Sequence, residues 1–292
     1  MKKNLFLFAA TLLILASCNK ETLSSDSVFK DPDPSSKTAF DRWLDANYVY
    51  PYNISLKYKT VDIETDRSYD LSPVDDNKTI AMAKLIKHLW MEVYDQTIDV
   101  NFTKRLIPKV IHMVGSPAYN TNNTMVLGTA EGGLKVTLYN VNVINPATVT
   151  ITQLTDSYLK TMYHEFAHIM HQTKDYSTEY GSISNLDYVG NDWALAAHSE
   201  SIAYQLGFVS RYARMEPNED FVEMMSIYVT RGLTNWNNII TQAGTAGAAK
   251  LNQKLEIVRE YCKLSWGFEL DDLRGNFEKR AASMHTLDLV NL

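Results

Sequence analysis

The sequence predicts an α+β fold in which short strands precede a series of helices. Apolar and polar residues alternate over residues 54–63 and 134–143, as they do in half-buried strands. From residue 156 onward, apolar residues recur at spacings of three and four, as they do in amphipathic helices. Because strands and helices are largely segregated along the chain, their order favours α+β over βαβ winding.

Composition and charge exclude several classes of protein. The chain has 292 residues, of which 45% are hydrophobic and 21% charged, an ordinary globular composition with enough apolar residues for a sizeable core. The formal net charge is −6 and no long run of Lys or Arg occurs, so nucleic acid is not an expected partner. Two cysteines are too few for a disulfide-stapled scaffold.

Helices and strands are both predicted before residue 150. Phe40, Trp43, Leu44 and Tyr48 have helical spacing, and two glycines separate the last two strand-like segments. The predicted helices cover residues 40–48 and 77–94, and the predicted strands cover residues 54–63, 109–114, 125–127 and 134–143.

The remainder of the chain is predicted to be helical, because its apolar residues follow the helical period. The predicted helices cover residues 156–172, 192–212, 219–231, 246–264 and 271–283. No internal repeat is visible. We therefore expect one domain over residues 40–292, with residues 40–105 packed on it as a front piece.

Residues 1–17 have the features of a bacterial lipoprotein signal peptide. Two lysines form a positive start, and the apolar segment Leu5–Leu15 is too short to span a bilayer as a helix. Small residues then precede Cys18, as in a lipobox, where the cysteine thiol receives a diacylglyceryl group. A plain secretory signal with a chance cysteine is the alternative.

A polar segment separates Cys18 from the first predicted helix. Residues 18–39 are rich in Ser, Asp and Pro, so we expect a flexible tether between the lipid and the folded domain. Asn19 stands where Asp would favour retention in the inner membrane, which makes the outer membrane the expected destination. With Cys18 lipidated, Cys262 has no partner for an intramolecular disulfide.

The sequence His164-Glu165-Phe166-Ala167-His168 is the strongest indication of chemistry. Histidines four residues apart lie on one face of a helix, so both imidazoles can bind a single metal ion. Imidazole and carboxylate ligands with an open fourth position suit zinc, which activates a water molecule for hydrolysis. Glu165 is placed to accept a proton from that water rather than to bind the metal. The alternative is a helix with two unrelated histidines.

A third protein ligand is expected on a later helix. The metzincin pattern is absent, because His171 and Lys174 stand where it requires Gly and His. Glu219 and Glu223 lie one turn apart in an otherwise apolar helix; Glu219 is the favoured ligand, with Glu223 bonded to a ligand histidine. Both could instead be solvated acids at a helix N-terminus. The rival ligands are Glu200, Glu223, Asp220 and Glu179.

The other histidines have less specific surroundings. His171 lies one turn beyond His168 and could face the metal or serve packing alone. His198, in an Ala-rich segment with Glu200, could contact substrate, although a structural role is favoured. His112 alternates with apolar residues and fits a strand.

These motifs resemble those of known zinc peptidases. HEFAH, followed about fifty residues later by an acidic helix that begins at Glu219, resembles the gluzincins of the anthrax lethal factor type. With the lipobox at Cys18, the chain resembles more closely the zinc-binding metallopeptidase lipoproteins known as substrate import-associated zinc metallohydrolases. The motifs of this resemblance lie within residues 158–228.

The resemblance implies a zincin-like metallopeptidase domain with a small N-terminal strand segment, an active-site helix and a C-terminal helical subdomain. It implies Zn²⁺ as the cofactor, an outer-membrane location and a TonB-dependent import pair as a partner. In the lethal factor type, a Tyr seven residues before the metal-binding Glu faces the zinc. Tyr212 has this position and would stabilise an oxyanion, although it could equally be a core tyrosine.

The expected function is a lipid-anchored zinc-dependent hydrolase that cleaves bonds in a peptide or protein substrate. Two alternatives stay open: a zincin-scaffold accessory protein that captures a ligand for an import system, and a zinc amidase acting on a non-peptide linkage. The intact Glu165 disfavours the accessory protein, because a pure binder needs no base between two metal-binding histidines. The sequence does not separate the peptidase from the amidase.

Overall fold

Short strands form a small four-stranded sheet and a separate two-stranded pair. The strands are β1 (Ser55–Lys57), β2 (Val110–Met113), β3 (Ala118–Tyr119), β4 (Met125–Val126), β5 (Gly128–Glu131) and β6 (Lys135–Leu138). β1, β2 and β6 are parallel neighbours in that order, and β5 pairs antiparallel with β6. β3 and β4 form a separate antiparallel pair.

This computed structural model describes residues 37–59, 68–119, 125–126, 128–131 and 133–292. The predicted signal peptide, the lipobox cysteine and nearly all of the predicted tether lie outside these residues. Ala39–Leu292 form one compact unit. No helix among the described residues is both long and apolar enough to cross a bilayer.

Helices precede and follow β1 in the sequence. α1 (Ala39–Leu44) continues through a π-helical turn (Asp45–Val49) into a last turn (Tyr50–Tyr52). Between β1 and β2 lie α2 (Asp76–Ile86), a π-helical turn (Lys87–Met91), α3 (Glu92–Thr97) and α4 (Val100–Leu106). The helices predicted over 40–48 and 77–94 are thereby confirmed.

Most of the remaining chain is helical. After β6 come α5 (Ile151–Leu154), a π-helical turn (Thr155–Leu159), α6 (Lys160–Thr173), α7 (Glu179–Ser182), α8 (Glu200–Leu206), α9 (Pro217–Thr230), α10 (Gly232–Tyr261) and α11 (Leu270–Ser283). The coarse prediction of an α+β class is confirmed, with helix predominating. The helices predicted over 219–231 and 271–283 correspond to α9 and α11.

The connection from β1 to β2 differs from the expectation. The two strands are parallel, and parallel neighbours need a long crossover between them. Here α2, α3 and α4 provide that crossover, so this one connection has the βαβ form that the order of elements disfavoured. The predicted strand 54–63 is ordered as a strand only at Ser55–Lys57, and residues 60–67 lie outside the described residues.

The prediction of one continuous helix over residues 192–212 is wrong. The segment contains a 3₁₀ turn (Gly190–Ala194), the short helix α8 and a second 3₁₀ turn (Tyr212–Arg214). Ser199 caps α8 by accepting a hydrogen bond from the Ile202 amide, and Gly207 ends it in the left-handed region at φ 89°. The capping residues Ser199 and Gly207 therefore limit α8 to seven residues, although the helical spacing of apolar residues extends beyond it.

Two glycines shape α10. Gly244 has φ 65° and ψ −177°, a conformation that is almost restricted to glycine, and it breaks the helix. Gly247 allows α8 to approach, because a Cβ there would lie 2.4 Å from the carbonyl oxygen of Tyr204. The predicted helix 246–264 covers only the part of α10 after this break.

Aromatic residues join the crossover helices to α6 in one core. Tyr94 and Phe166 are fully buried, with ring centroids 4.6 Å apart, and Trp90 contacts Phe166 edge-on. Burial of three such side chains contributes several kcal/mol of hydrophobic stabilisation, about 2–3 kcal/mol each. Aromatic residues between positions 90 and 102 thus hold α6, the helix of the HEFAH motif, in place through their contacts with Phe166.

Candidate metal centre

α6 presents its two motif histidines toward one point. Phe166, Ala167 and Met170 are buried and anchor the opposite side of the helix. His164 and His168 lie on adjacent turns, and their ring centroids are 4.9 Å apart. The helix therefore supplies two converging imidazoles on a rigid support.

α9 packs against α6 and adds a carboxylate to this pair. One oxygen of Glu219 lies 3.1 Å from His164 Nε2, and the other lies 3.4 Å from His168 Nε2. Candidate ligand atoms of the three residues lie within 4.8 Å of one another. Among the described residues, no other group of three His, Cys, Asp or Glu side chains meets this spacing.

The donor set fits a zinc ion. Glu219 Oε2 is buried, and its neighbour His164 Nε2, at 3.1 Å, does not meet it in hydrogen-bond geometry. A buried carboxylate oxygen without a donor is unfavourable unless a cation compensates it. Two imidazole nitrogens and one carboxylate oxygen, with space left for a fourth ligand, are a zinc combination found in hydrolases.

Each histidine is bonded through its other ring nitrogen. His164 Nδ1 lies 2.9 Å from Glu223 Oε1, and His168 Nδ1 lies 3.0 Å from His171 Nε2. Such bonds leave Nε2 of each ring directed at Glu219 and fix the ring orientation. The structure thus places Glu223 and His171 behind the two histidines rather than within the group of three.

Glu223 is itself enclosed by polar partners. Its carboxylate is fully buried, accepts a hydrogen bond of 2.7 Å from the Ser210 hydroxyl and pairs with the Lys160 ammonium. Burial opposes its charge, but Lys160 and His164 prevail and lower the pKa of Glu223 to about 2. Glu223 is therefore an ionised partner for His164 at neutral pH.

The imidazoles and carboxylates of this site shift one another's pKa values. Burial disfavours a charged His164, but the carboxylates of Glu219 and Glu223 raise its pKa to about 9. Conversely, the two imidazoles hold the pKa of Glu219 well below its usual range, against the effect of burial. Since metals bind the deprotonated imidazole, a metal ion at this site competes with protons for His164.

Glu165 faces a cleft beside the candidate ligands. Burial raises the pKa of this carboxyl above its usual value, while the neighbouring histidines lower it to a smaller extent. The cleft has a volume of about 300 Å³. Its walls include Gly133, Glu165, His168, Ile169, Gln172 and Glu219. A carboxylate with a raised pKa at such a cleft is suited to proton transfer.

Tyr212 also lies close to the histidine pair. Its ring centroid is 5.9 Å from that of His164 and 4.9 Å from that of Trp193. Burial, followed by the nearby carboxylate of Glu219, raises the pKa of the Tyr212 hydroxyl. The hydroxyl therefore keeps its proton at neutral pH and can donate a hydrogen bond into the site.

The rival ligands named from the sequence are engaged elsewhere. Asp220 is buried and paired with Lys254 at 2.7 Å. Glu200 accepts a hydrogen bond from the backbone amide of Arg211. Glu179 is exposed and outside the group of three. His198 contacts the buried Arg214 at 2.8 Å, which gives it a structural role.

Two polar residues near the site were not identified from the sequence. Lys160 lies one turn before His164 on α6, so its position on the same helix face was available as a signal. Ser210 lies in a loop 13 residues before Glu223, and no local pattern links the two. Cys18, the predicted lipidation site, is outside the described residues.

Comparisons with known proteins agree with this geometry. The family model described as "putative zinc-binding metallo-peptidase" matches residues 33–271. A solved structure from Bacteroides caccae, described with the same words, is 40% identical, with a TM-score of 0.78; the match covers 91% of this chain and 99% of that one. Curated proteins yield no match. The extent of the family match shows that the chain belongs to this zinc-binding metallo-peptidase family.

Proposed function

We propose that the chain is a zinc-dependent peptidase with a zincin-like catalytic domain. His164, His168 and Glu219 would hold the zinc ion. A helix-borne histidine pair facing a carboxylate from a second helix is the observation that carries the proposal. A zinc ion bound there supplies a Lewis acid that activates water and polarises a carbonyl group.

The remaining steps belong to side chains of this chain. Glu165 accepts the proton of the attacking water and returns it to the leaving amine, for which its raised pKa is suited. The Tyr212 hydroxyl donates a hydrogen bond to the oxyanion that develops on the scissile carbonyl. Glu223 and His171 keep the two imidazoles oriented through the bonds to their Nδ1 atoms.

The proposal also covers location and partners. Lipidation at Cys18 would attach the enzyme to the outer membrane, with the segment up to residue 39 as a tether. This part rests on the lipobox sequence. Association with a TonB-dependent import pair rests on the family resemblance alone.

The test compares zinc content with peptide hydrolysis in matched variants. His164→Ala and His168→Ala should lose zinc. Glu165→Gln should retain zinc and its melting temperature but lose about 10²- to 10⁴-fold in kcat. His285→Ala, which removes an exposed histidine, is the control and should keep full zinc and activity.

Each outcome of this experiment tests one part of the proposal. Full zinc content in both histidine variants would refute the metal site. Zinc binding without cleavage of any peptide in a proteome-derived library would refute the peptidase and leave the accessory protein and the amidase. Unchanged hydrolysis by Glu165→Gln would exclude Glu165 as the base.

A further inference from the structure

A second cavity, of about 340 Å³, adjoins the candidate metal centre. Tyr212 and Glu223 line this cavity, and both also contact His164. Its other walls come from the start of α6, from α8, from the loop before Tyr212 and from α10. A substrate bound across the metal centre could therefore place a neighbouring side chain in this space.

Most charges around the cavity already have partners. The Lys160 ammonium pairs with the buried Glu223 carboxylate. Arg231 pairs with Asp156 at 2.9 Å. The Glu200 carboxylate accepts a hydrogen bond of 3.0 Å from the backbone N–H of Arg211. The first two contacts pair opposite charges, whereas the backbone N–H leaves the negative charge of the exposed Glu200 in place.

Among the described residues of the cavity, the Arg211 guanidinium is the cation without a paired carboxylate. It lies over the Trp193 ring, 5.5 Å from the centroid, and no carboxylate in the described part of the chain forms a salt bridge with it. The side chains of Arg211 and Trp193 are both half-buried. Stacking on an aromatic ring orients a guanidinium while leaving its N–H groups available. Arg211 thus presents a positioned positive charge to the cavity.

Asn235 provides a second unsatisfied group. Its Oδ1 atom is buried and has no hydrogen-bond donor among the residues that the structure describes. The residue lines the same cavity as Arg211. Buried acceptors are normally satisfied, so this oxygen is available to a ligand that carries an N–H group. A peptide backbone provides such a donor.

We propose that this cavity receives an acidic side chain of the substrate and that Arg211 selects it. The proposal rests on the peptidase function proposed above. A Glu or Asp side chain would pair with the guanidinium, and a peptide N–H would satisfy Asn235. A Lys or Arg side chain would be repelled by Arg211, and an apolar side chain would leave both polar groups without partners.

The test measures selectivity with the zinc-loaded full chain. A proteome-derived peptide library identifies the cleaved bond, and kcat/KM is then compared for two peptides that differ only by Glu or Gln next to that bond. Wild type should prefer Glu by about 10- to 100-fold, the range for hydrogen bonds to charged groups. Arg211→Gln should abolish this preference, and Arg211→Glu should favour Lys.

A matched control removes a positive charge elsewhere. Arg105 is exposed on α4, so Arg105→Gln changes the net charge equally and should preserve the preference for Glu. Melting temperatures verify that each variant is folded.

A binding measurement separates this proposal from the peptidase function. Zinc-loaded Glu165→Gln protein is titrated by calorimetry with acetylated, amidated hepta-alanine peptides carrying one central Glu or Gln. Tighter binding of the Glu peptide that Arg211→Gln abolishes, without cleavage by wild type, would support the pocket and refute the peptidase. Cleavage without an acidic preference, a preference for Lys, or equal binding of both peptides in the absence of cleavage would overturn the role of Arg211.

Discussion

Glu219 and Glu223 lie one turn apart on α9 but face different atoms of the histidine pair. Glu219 approaches the Nε2 atoms of both His164 and His168, whereas Glu223 is bonded to Nδ1 of His164. Only the Nε2 side is open to a metal ion shared by all three candidate ligands. The two carboxylates therefore have different expected effects on zinc affinity.

Glu219→Gln should weaken zinc binding severely, because it removes the charged oxygen of a ligand. Glu223→Gln should weaken it by only about 10- to 100-fold, the range for groups that orient a ligand. Titration of each variant with zinc against a competing chelator ranks the two. The opposite ranking would make Glu223 the ligand and would remove the basis for the role of Tyr212.

At the residue scale, the sequence predicts what a single helix contains. His164, Glu165 and His168 were identified because the helical period alone places them together. Glu219 was favoured among several acids, and only the packing of α9 on α6 brings it to the histidines. The pairing of His168 with His171 depends on ring orientation, which spacing does not specify.

At the scale of elements, Glu92 joins α3 to α11. Its carboxylate pairs with Lys87 and, at 2.7 Å, with Arg280. Burial opposes its ionisation, but Lys87 and then Arg280 prevail and lower its pKa below the usual 4.5. A lowered pKa stabilises the fold above the unfolded-state pKa, and this contribution is lost as the pH falls through the folded-state pKa.

Glu92→Gln should therefore destabilise the protein at pH 7 by about 1 kcal/mol, since the pair is partly exposed. The difference from wild type should shrink as the pH is lowered from about 5 toward 3. Urea unfolding at several pH values measures it. A difference that stays constant across this range would show that the charge of Glu92 does not contribute to stability.

The backbone conformation at the break in α10 can be tested by comparing Gly244 with Gly275, a glycine inside a regular helix. Gly244 has φ 65°, and a Cβ there would meet no atom within 4 Å, so only backbone conformation opposes a side chain. Gly244→Ala should therefore destabilise the protein by about 1–3 kcal/mol. Gly275 lies inside α11 with equally open space, and Gly275→Ala should stabilise by about 0.5–1 kcal/mol.

Thermal and urea unfolding of both alanine variants compare the same chemical change in two backbone conformations. If Gly244→Ala were as stable as wild type, α10 would have to be continuous through residue 244. The predicted helix 246–264 begins just after this break, and the part of α10 before it was not predicted. α4 was missed because its seven residues are too few to establish a period, although Asp99 caps it.

At the scale of the whole molecule, strand pairing was the least predictable feature. β1 and β2 are more than fifty residues apart, and β2 and β6 are joined through β3, β4 and β5. Alternating residues identify a strand but not its neighbour or direction. The same limit applies to the second cavity, whose walls come from segments between residues 160 and 239.

Attachment to a membrane through Cys18 would be a property of the whole chain. Cys18 follows a positive start, an apolar segment and small residues, the order expected of a lipobox. Cys18→Ala should therefore move the protein from the membrane pellet to the soluble fraction, because acyl chains contribute about 0.8 kcal/mol per buried CH₂ group. Cys262→Ala, at the other cysteine, is the control and should remain in the pellet. A Cys18→Ala protein that still pellets after a high-salt wash would refute the lipid anchor.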